Sequence, residues 1–235
     1  FRANATDNLD NVSGCSTASV TYILDLTPPT TTVTIANAYY GPSTYNNATT
    51  INGHAADTGG SALSNVQITI QRSSDSLYWT GSAWGALTWV TASGTSTWTY
   101  TLAVGNLSNA TTYTVIARAN DTAGNTTLVD FGTDSFIYDN VAPTIPGVMT
   151  TTWVGDHYVN TSFTANTTGS TDIGGSGVAT YSISRSIDGS STCTVVMASG
   201  LGVTNYLVSG ANLPSNGQIR YYCWLAVDNA GNTSS

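Results

Sequence analysis

The side chains that could perform chemistry in this sequence are thirteen carboxylates, two histidines and three cysteines. All the carboxylates belong to aspartate, because the sequence contains neither glutamate nor lysine. Neither His54 nor His157 lies beside a nucleophile motif, and no common hydrolase, metalloprotease or nucleotide-binding motif occurs. Glycoside hydrolysis by paired carboxylates needs an acid of raised pKa, and no glutamate is present to fill that role. We therefore expect that the chain is not an enzyme.

The cysteines match neither a CxxC motif nor the ligand spacing of a zinc site. Cys193 and Cys223 fall on predicted strands of one domain, so a disulfide between them would fit an oxidising compartment. The alternative is that all three cysteines are small buried thiols. Cys15 has no evident partner within the chain and could pair with Cys193 or Cys223 of another repeat.

Several aspartates belong to a short phrase that recurs: DNLDN at 7–11, DTAGN at 121–125 and DNAGN at 228–232. The first aspartates of these copies are 114 and 107 residues apart, which is the size of one β-sandwich domain. Asp, Asn and Gly between alternating apolar segments predict a hairpin turn. Tyr113 and Tyr221 precede two of these turns, where sandwich domains often place a corner tyrosine.

Composition favours an all-β protein. Charged residues make up 8% of the chain, against about 25% in typical soluble proteins, while 40% of residues are hydrophobic and 10% aromatic. A net charge of −8 and five scattered arginines argue against binding to nucleic acid or anionic membranes. No apolar run approaches the roughly 20 residues of a membrane span. The chain lacks an initiating Met and a signal peptide, so we expect a segment of a longer or processed product.

The repeat predicts tandem immunoglobulin-like β-sandwiches that are out of phase with the chain. Residues 1–27 form the last hairpin of a preceding repeat, 28–141 a complete sandwich, and 142–235 a sandwich that lacks its last strand. The strands expected in the complete sandwich lie near 31–36, 49–57, 65–72, 76–91, 96–103, 111–120 and 128–138.

Residues 14–25 are then a predicted strand without a sheet of its own, with Val20, Tyr22, Ile23 and Leu24 as its assembly residues. An incomplete sandwich exposes an edge that seeks a partner. Two arrangements satisfy both ends: a continuous tandem array, or a donor strand from one copy that completes the next. Either gives head-to-tail repetition, so copies of the chain itself are the expected partners.

Residues 28–141 resemble the bacterial immunoglobulin-like repeats of large extracellular surface proteins and giant adhesins. The shared features are ADTGGSALSNVQ, the Trp-bearing middle strands, the Asp-x-Ala-Gly-Asn turn and the closing DSFIYDNVAPT. Residues 142–235 match more loosely, through TDIGGSGVATYSIS and AVDNAGN. The resemblance implies stalk or fibre domains at the cell surface or outside the cell.

The same resemblance implies that some such domains bind Ca²⁺ through carboxylates near their junctions. Carried over by position, the candidate ligands are Asp25, Asp57, Asp121, Asp139, Asp172 and Asp228. Ca²⁺ prefers about six to eight oxygen ligands, and isolated aspartates predict a weak site. The alternative, that each aspartate only forms a turn, explains every position, so no cofactor is required.

Two further sets of residues leave alternatives open. Trp79, Trp84, Trp89 and Trp98 could fill the core or a domain interface, form a platform for sugar rings, or contact another protein. The ten Asn-x-Ser/Thr sequons are candidate glycosylation sites or plain turn residues: Asn4, Asn11, Asn47, Asn106, Asn109, Asn120, Asn125, Asn160, Asn166 and Asn232. The function that these features favour is a repeat unit of an extracellular filament, stalk or sheath. The alternative is an adhesin segment that binds a glycan or a partner protein.

Overall fold

The computed structural model describes residues 3–14, 21–128, 132–151 and 161–235. These residues form β-strands and two short 3-10 turns, Val104–Asn106 and Gly210–Asn212, and contain no α-helix. The prediction of an all-β protein built of immunoglobulin-like sandwiches is confirmed. Within the described ranges, no helix is long and apolar enough to cross a membrane.

In its described residues, the first sandwich contains eleven strands, several of only two residues. They are β1 Thr30–Thr34, β2 Tyr39–Tyr40, β3 Ile51–Ala56, β4 Leu63–Arg72, β5 Tyr78–Trp79, β6 Trp84–Gly85, β7 Val90–Thr91, β8 Ser93–Gly94, β9 Thr97–Tyr100, β10 Thr111–Asp121 and β11 Gly132–Tyr138. One sheet has the order β1-β3-β9-β8. The other has the order β2-β11-β10-β4-β5-β6, with β7 also paired to β4. All pairs are antiparallel except β11 with β2.

Strand β10 shows why this sequence forms a sandwich. Its alternate residues, from Thr111 to Asp121, are buried, and the residues between them are half-exposed. This period of two directs one face into the space between the sheets. There Tyr113 stacks on Phe136 of β11 with ring centroids 5.3 Å apart, and the fully buried Trp98 of β9 fills the opposite side. The core thus lies between the two sheets.

The second sandwich contains β12 Thr150–Thr151, β13 Phe163–Asn166, β14 Val178–Ser186, β15 Cys193–Leu201, β16 Asn205–Val208 and β17 Tyr222–Asp228. Its sheets have the orders β12-β13-β16 and β15-β14-β17. Phe163, Ile183 and Trp224 form the centre of its smaller core. Within the described residues, β17 pairs with β14 alone, whereas its counterpart β10 pairs with both β4 and β11.

Two predicted strands differ from the structure. The segment 76–91 is not one strand but three short pieces, because the chain turns at Gly81, whose φ of +99° suits glycine. The predicted assembly strand is not a strand over 21–25, which are the part of it that the structure describes. Residues 21–25 pair with no strand among the described residues, and a strand needs a partner for its backbone hydrogen bonds.

Candidate metal centres

The recurring phrase folds into the same tight turn three times. The residues that flank it form a β-bridge in each copy: Thr6 with Val12, Asn120 with Thr126, and Val227 with Thr233. Inside each turn the first aspartate accepts from the last asparagine. The Asn125 amide N–H and its Nδ2 bond the two oxygens of Asp121 at 2.7 Å each, and Asn11 and Asn232 repeat this with Asp7 and Asp228.

At the first junction this turn meets two other aspartates. Asp25 is the last residue of the predicted assembly strand, Asp57 follows β3, and Asp121 ends β10. Each offers an oxygen atom that lies within 4.8 Å of the other two. We call this group the Asp25 triad. Asn125 adds a bond from its Nδ2 to the main-chain oxygen of Asp25 at 3.1 Å, which ties the turn to the linker.

The second junction repeats the arrangement. Asp139 follows β11, Asp172 follows β13, and Asp228 ends β17; their carboxylate oxygens again lie within 4.8 Å of one another. We call this group the Asp139 triad. Asn232 Nδ2 donates to the main-chain oxygen of Asp139 at 3.0 Å, as Asn125 does to Asp25. The structure therefore brings all six candidate aspartates together, three at each junction.

Backbone amides hold the linker aspartate of each triad. The N–H groups of Thr27 and Ser61 donate to the two oxygens of Asp25, and those of Val141 and Ser176 donate to Asp139. A loop glycine gives each carboxylate its space: a Cβ atom at Gly59 would collide with the carboxylate of Asp25, and one at Gly174 with that of Asp139. Both loops thus form a cradle that only glycine leaves open.

Several residues that support the triads lie outside the ligand set predicted from the sequence. They are the serines, the glycines, and Asn125 and Asn232 in their second role as donors to the linker. A signal was present, because the pattern Asp-x-Gly-Gly-Ser occurs at both 57–61 and 172–176. Its recurrence at about one domain length predicts a shared backbone geometry around each carboxylate.

The triads are buried and acidic. Asp25, Asp121, Asp139 and Asp228 are each at most 8% exposed. The Ser61 side chain, with the amides of Thr27 and Ser61, lowers the pKa of Asp25 to about 2. Burial opposes ionisation of Asp121, but the hydrogen bonds from Asn125 outweigh it and lower its pKa. Among the described residues the ion pairs are Arg72 with Asp75 and Arg220 with Asp188, so no basic side chain neutralises either triad.

This donor set suits a hard divalent cation. Oxygens that bind one Ca²⁺ at about 2.4 Å lie no more than about 4.8 Å apart, and the three oxygens of each triad lie within 4.8 Å of one another. Asp57 Oδ2 is buried and has no hydrogen-bond partner within the described residues. Such an atom is costly to bury unless a donor or a cation satisfies it. The residues present therefore fit Ca²⁺.

The two described cysteines are joined in a disulfide. Cys193 begins β15 and Cys223 lies in β17, with their Cα atoms 6.2 Å apart. The bond links the two outer strands of the sheet β15-β14-β17. Cys15 lies outside the described residues, so its predicted bond to another repeat stays a prediction.

Two of the sequon asparagines are already fully engaged. At Asn125 and Asn232 the side-chain Nδ2 donates two hydrogen bonds, and a glycan would replace one of its hydrogens. Asn4, Asn11 and Asn47 are exposed; Asn106, Asn109, Asn120 and Asn166 are partly buried; Asn160 lies outside the described residues. Glycosylation stays a prediction at all ten asparagines.

The tryptophans of the first sandwich do not form an open platform. Trp79 and Trp98 are buried, and Trp84 packs against the core. The guanidinium of Arg118 covers the ring of Trp89 at 4.1 Å from its centroid. This packing favours the core alternative over a sugar-binding face. His54 is exposed on β3, with its Nδ1 3.4 Å from the hydroxyl of Thr97, and His157 lies outside the described residues.

The predicted assembly residues leave apolar side chains in solvent. Tyr22, Ile23 and Leu24 are exposed, as is Leu26, and Val20 lies outside the described residues. Ile23 nevertheless approaches the first metal-centre loop, since a Cβ at Gly60 would lie 2.8 Å from its Cγ2. The segment thus contacts its own domain on one side and exposes apolar atoms on the other.

Corner tyrosines occur in one sandwich as predicted and are shifted in the other. Tyr113 is fully buried, and its hydroxyl accepts from the Ser108 amide at 2.7 Å. Tyr221 is half-exposed and precedes β17, and its neighbour Tyr222 donates to the main-chain oxygen of Asn212 at 2.7 Å.

Comparison with known proteins supports the fold. No protein-family model matches the chain. A stretch of 139 residues, 57% of the chain, is 35% identical to Endoglucanase B of Cellulomonas fimi, and the match spans only 12% of that protein. A crystal structure of titin domains superposes on 90% of the chain and 64% of its own length, at 14% identity and a TM-score of 0.52.

Two further solved structures are similar at lower scores. Fibronectin(III)-like modules of Clostridium thermocellum CbhA cover 87% of the chain and 89% of their own length, at 14% identity and a TM-score of 0.43. A tetra-tandem repeat from the extending region of a large adhesion protein covers 99% and 53%, at 18% identity and a TM-score of 0.34. The titin match shows that the chain has the fold of tandem immunoglobulin-like domains.

Proposed function

We propose that this chain is a structural segment of an extracellular repeat protein whose consecutive domains are joined through Ca²⁺. One observation carries the proposal: the same three-aspartate arrangement, with equivalent amide donors to the linker aspartate, occurs at both junctions. A turn former alone needs no second and third carboxylate beside it. The recurrence of all three at each junction supports a shared ligand.

Charge supports a cation in particular. Each triad has a formal charge of −3 when ionised, and the described residues place no arginine or histidine against it. Buried carboxylates of like charge repel one another, and Coulomb repulsion strengthens as water is excluded. A bound Ca²⁺ would remove most of that repulsion and would satisfy Asp57 Oδ2.

The origin of the ligands supports a role in joining domains. Asp139 belongs to the end of the first sandwich, whereas Asp172 and Asp228 belong to the second. An ion bound by all three would cross-link two domains that are otherwise connected by the linker after Asp139. Direct contacts already meet there, since the Thr44 hydroxyl donates to the main-chain oxygen of Ala230 at 3.1 Å. The proposed function of the ion is to stiffen this junction.

Ca²⁺ binding tests the proposal. Isothermal titration calorimetry on chain stripped of metal with EDTA is expected to show two bound ions. Thermal unfolding of the same chain should show a higher unfolding temperature with Ca²⁺ than without it. The double variant Asp57→Asn/Asp172→Asn should lose both. Asp75→Asn, which removes a carboxylate paired with Arg72 outside the triads, is the matched control and should bind normally. Absence of Ca²⁺ binding by the unaltered chain at millimolar concentration would overturn the proposal.

Head-to-tail assembly is the second part of the proposal. The segment 18–24 stands 114 residues before β11 and is its sequence counterpart. Strand β17 has an edge that pairs with no strand among the described residues, at the position where β10 receives β11. Ile23 and Leu24 are 73% and 81% exposed. A segment of this kind from a copy of the chain, or from the next repeat of a longer polypeptide, would complete the β17 sheet.

The assembly proposal is tested at Leu24, the counterpart of the buried Tyr138 of β11. Leu24→Asp is expected to abolish association of the chain in analytical ultracentrifugation, because a charge cannot enter the completed core. Residues 28–141 should stay folded, as monitored by the near-ultraviolet dichroism of the buried tryptophans. Thr101→Asp, at an exposed residue outside the segment and the triads, is the control. Association that survives Leu24→Asp would count against strand completion.

An extracellular location agrees with the disulfide between Cys193 and Cys223, because disulfides persist mainly in oxidising compartments. We infer a non-catalytic role, in which folding and assembly are the function. The adhesin alternative would need an exposed recognition surface, and the packing of Trp79, Trp84, Trp89 and Trp98 gives it no support.

A further inference from the structure

The two triads differ in how completely their oxygens are hydrogen-bonded. In the Asp139 triad, Asp172 Oδ2 accepts from the Gly177 amide at 2.6 Å and from the Ser176 hydroxyl at 3.4 Å. The equivalent atom of the Asp25 triad, Asp57 Oδ2, is buried without a partner among the described residues. Asp228 Oδ1 also accepts from the amides of both Ala230 and Asn232.

One sequence difference explains the missing bond. The loop after Asp172 is DIGGSG, and the loop after Asp57 is DTGGSA, so Ala62 stands where the second loop has Gly177. Gly177 has a φ of +77° and Gly175 a φ of +101°, in the left-handed region that favours glycine. Neither Ala62 nor Gly60 has a positive φ. The second loop therefore turns its last amide onto the carboxylate, and the first loop does not.

From this difference we propose that the chain has two Ca²⁺ sites of graded affinity, and that the Asp25 triad binds first. The residue five positions after the loop aspartate, Ala62 in the first site and Gly177 in the second, determines the difference in Ca²⁺ affinity. This inference rests on the proposed function, namely that the triads bind Ca²⁺. It goes further by assigning an order of occupancy and the residue that determines it.

The physical reason is competition for the same oxygen. A cation at the Asp139 triad approaches an oxygen that already accepts a charge-assisted bond from an N–H group, whose positive end repels the cation. At the Asp25 triad the cation meets an unpartnered carboxylate oxygen and displaces no donor. We expect the Asp25 site to bind Ca²⁺ about tenfold more tightly than the Asp139 site.

Graded affinity would make the junctions respond in sequence. As free Ca²⁺ falls, the Asp139 junction empties first, and it is the one that connects the two sandwiches of this chain. The Asp25 junction, which anchors the linker at residues 21–29, keeps its ion longer. There is therefore a range of Ca²⁺ concentration in which the Asp25 site is occupied and the Asp139 site is partly occupied. Within that range Ca²⁺ changes the flexibility between the sandwiches while the linker at residues 21–29 stays anchored.

The test is calorimetric titration of the whole chain with CaCl₂, using Asp57→Asn and Asp172→Asn to assign the two steps. Asp57→Asn should remove the tight step, and Asp172→Asn the weak one. The reciprocal variants then test the cause: Gly177→Ala should tighten the weak step several-fold, and Ala62→Gly should weaken the tight step. Unfolding temperatures measured without Ca²⁺ identify any variant that fails to fold. If one of the two reciprocal variants fails, the affinity measured for the other still tests the cause.

The possible outcomes distinguish failure of the graded affinity from failure of Ca²⁺ binding itself. Absence of Ca²⁺ binding overturns both the proposed function and the graded sites. Two steps of equal affinity, or loss of the weak step in Asp57→Asn, overturn the grading and leave the Ca²⁺ junctions standing. Correct order with no effect from either reciprocal variant overturns the assignment of the grade to residues 62 and 177.

Discussion

At the scale of single residues, hydrogen bonds stabilise the charged side chains of this acidic protein. With thirteen aspartates and five arginines, most carboxylates must be stabilised by amides rather than by ion pairs. The pair of Asp188 and Arg220 is an exception. Its closest N–O distance is 2.7 Å, and the Arg220 side chain is 8% exposed and also donates to the main-chain oxygens of Ala211 and Leu213.

A pH dependence follows for Asp188. Hydrogen bonding from Ser215 and the guanidinium of Arg220 lower the pKa of this carboxyl group. A carboxyl group whose pKa is lower in the folded state stabilises the fold above its unfolded pKa of about 4, and this stabilisation is lost as pH falls through the folded value. Asp188→Asn should therefore lower the unfolding temperature at pH 7, and the difference should shrink towards pH 2. An undiminished difference at pH 2 would contradict this.

At the scale of strands and turns, the corner tyrosine ties a loop to the core. Tyr113 lies at the start of β10, stacked on Phe136, and accepts the Ser108 amide of the preceding loop. That loop follows β9, so the bond connects the two sheets across one end of the sandwich. The bond is partly buried, so an amide that loses its acceptor there costs at least about what an average hydrogen bond contributes.

Tyr113→Phe is accordingly expected to lower the free energy of unfolding of the first sandwich by about 1–2 kcal/mol, with the ring packing retained. Urea titration followed by tryptophan fluorescence measures the change. Tyr78→Phe, at a half-buried tyrosine of the same sandwich, is the matched control and should change stability by less. Equal losses in the two variants would show that the Ser108 bond has no special weight.

At the scale of the whole molecule, the two triads have different mechanical positions. The Asp25 triad joins the linker to the first sandwich, and the Asp139 triad joins the two sandwiches. Under the proposed function, Ca²⁺ at the second triad alone limits the motion of one sandwich against the other.

Small-angle X-ray scattering should detect this. Saturating Ca²⁺ is expected to narrow the interdomain distance distribution of the unaltered chain and of Asp57→Asn. Asp172→Asn should keep the broad distribution of the metal-free chain. The two variants lose the same charge. If the loss of charge alone changed the distance distribution, Asp57→Asn and Asp172→Asn would give the same distribution, and that result would contradict the prediction.

Much of this molecule could be predicted from sequence, since the turn phrase has a fixed local chemistry. The repeated Asp…Asn turn and the domain length follow from the spacing of the recurring phrase. The resemblance to bacterial immunoglobulin-like repeats predicted that all six aspartates lie near the domain junctions. Other features depend on tertiary context. Whether 76–91 stays one strand depends on how Gly81 turns, and whether 21–25 forms a strand depends on a partner sheet. The bond from Gly177 to Asp172 depends on a backbone angle that no residue pattern states.

Asp139 has a consequence for how such a protein can be divided. It follows directly on the last strand of one sandwich, yet its carboxylate meets Asp172 and Asp228 of the next. A gene fragment cut at the sheet boundary would encode a folded sandwich with two of its three ligands. A transplantable unit therefore begins at the aspartate before the proline-rich linker. Recombination between repeats preserves a complete junction only when that residue travels with the domain that follows it.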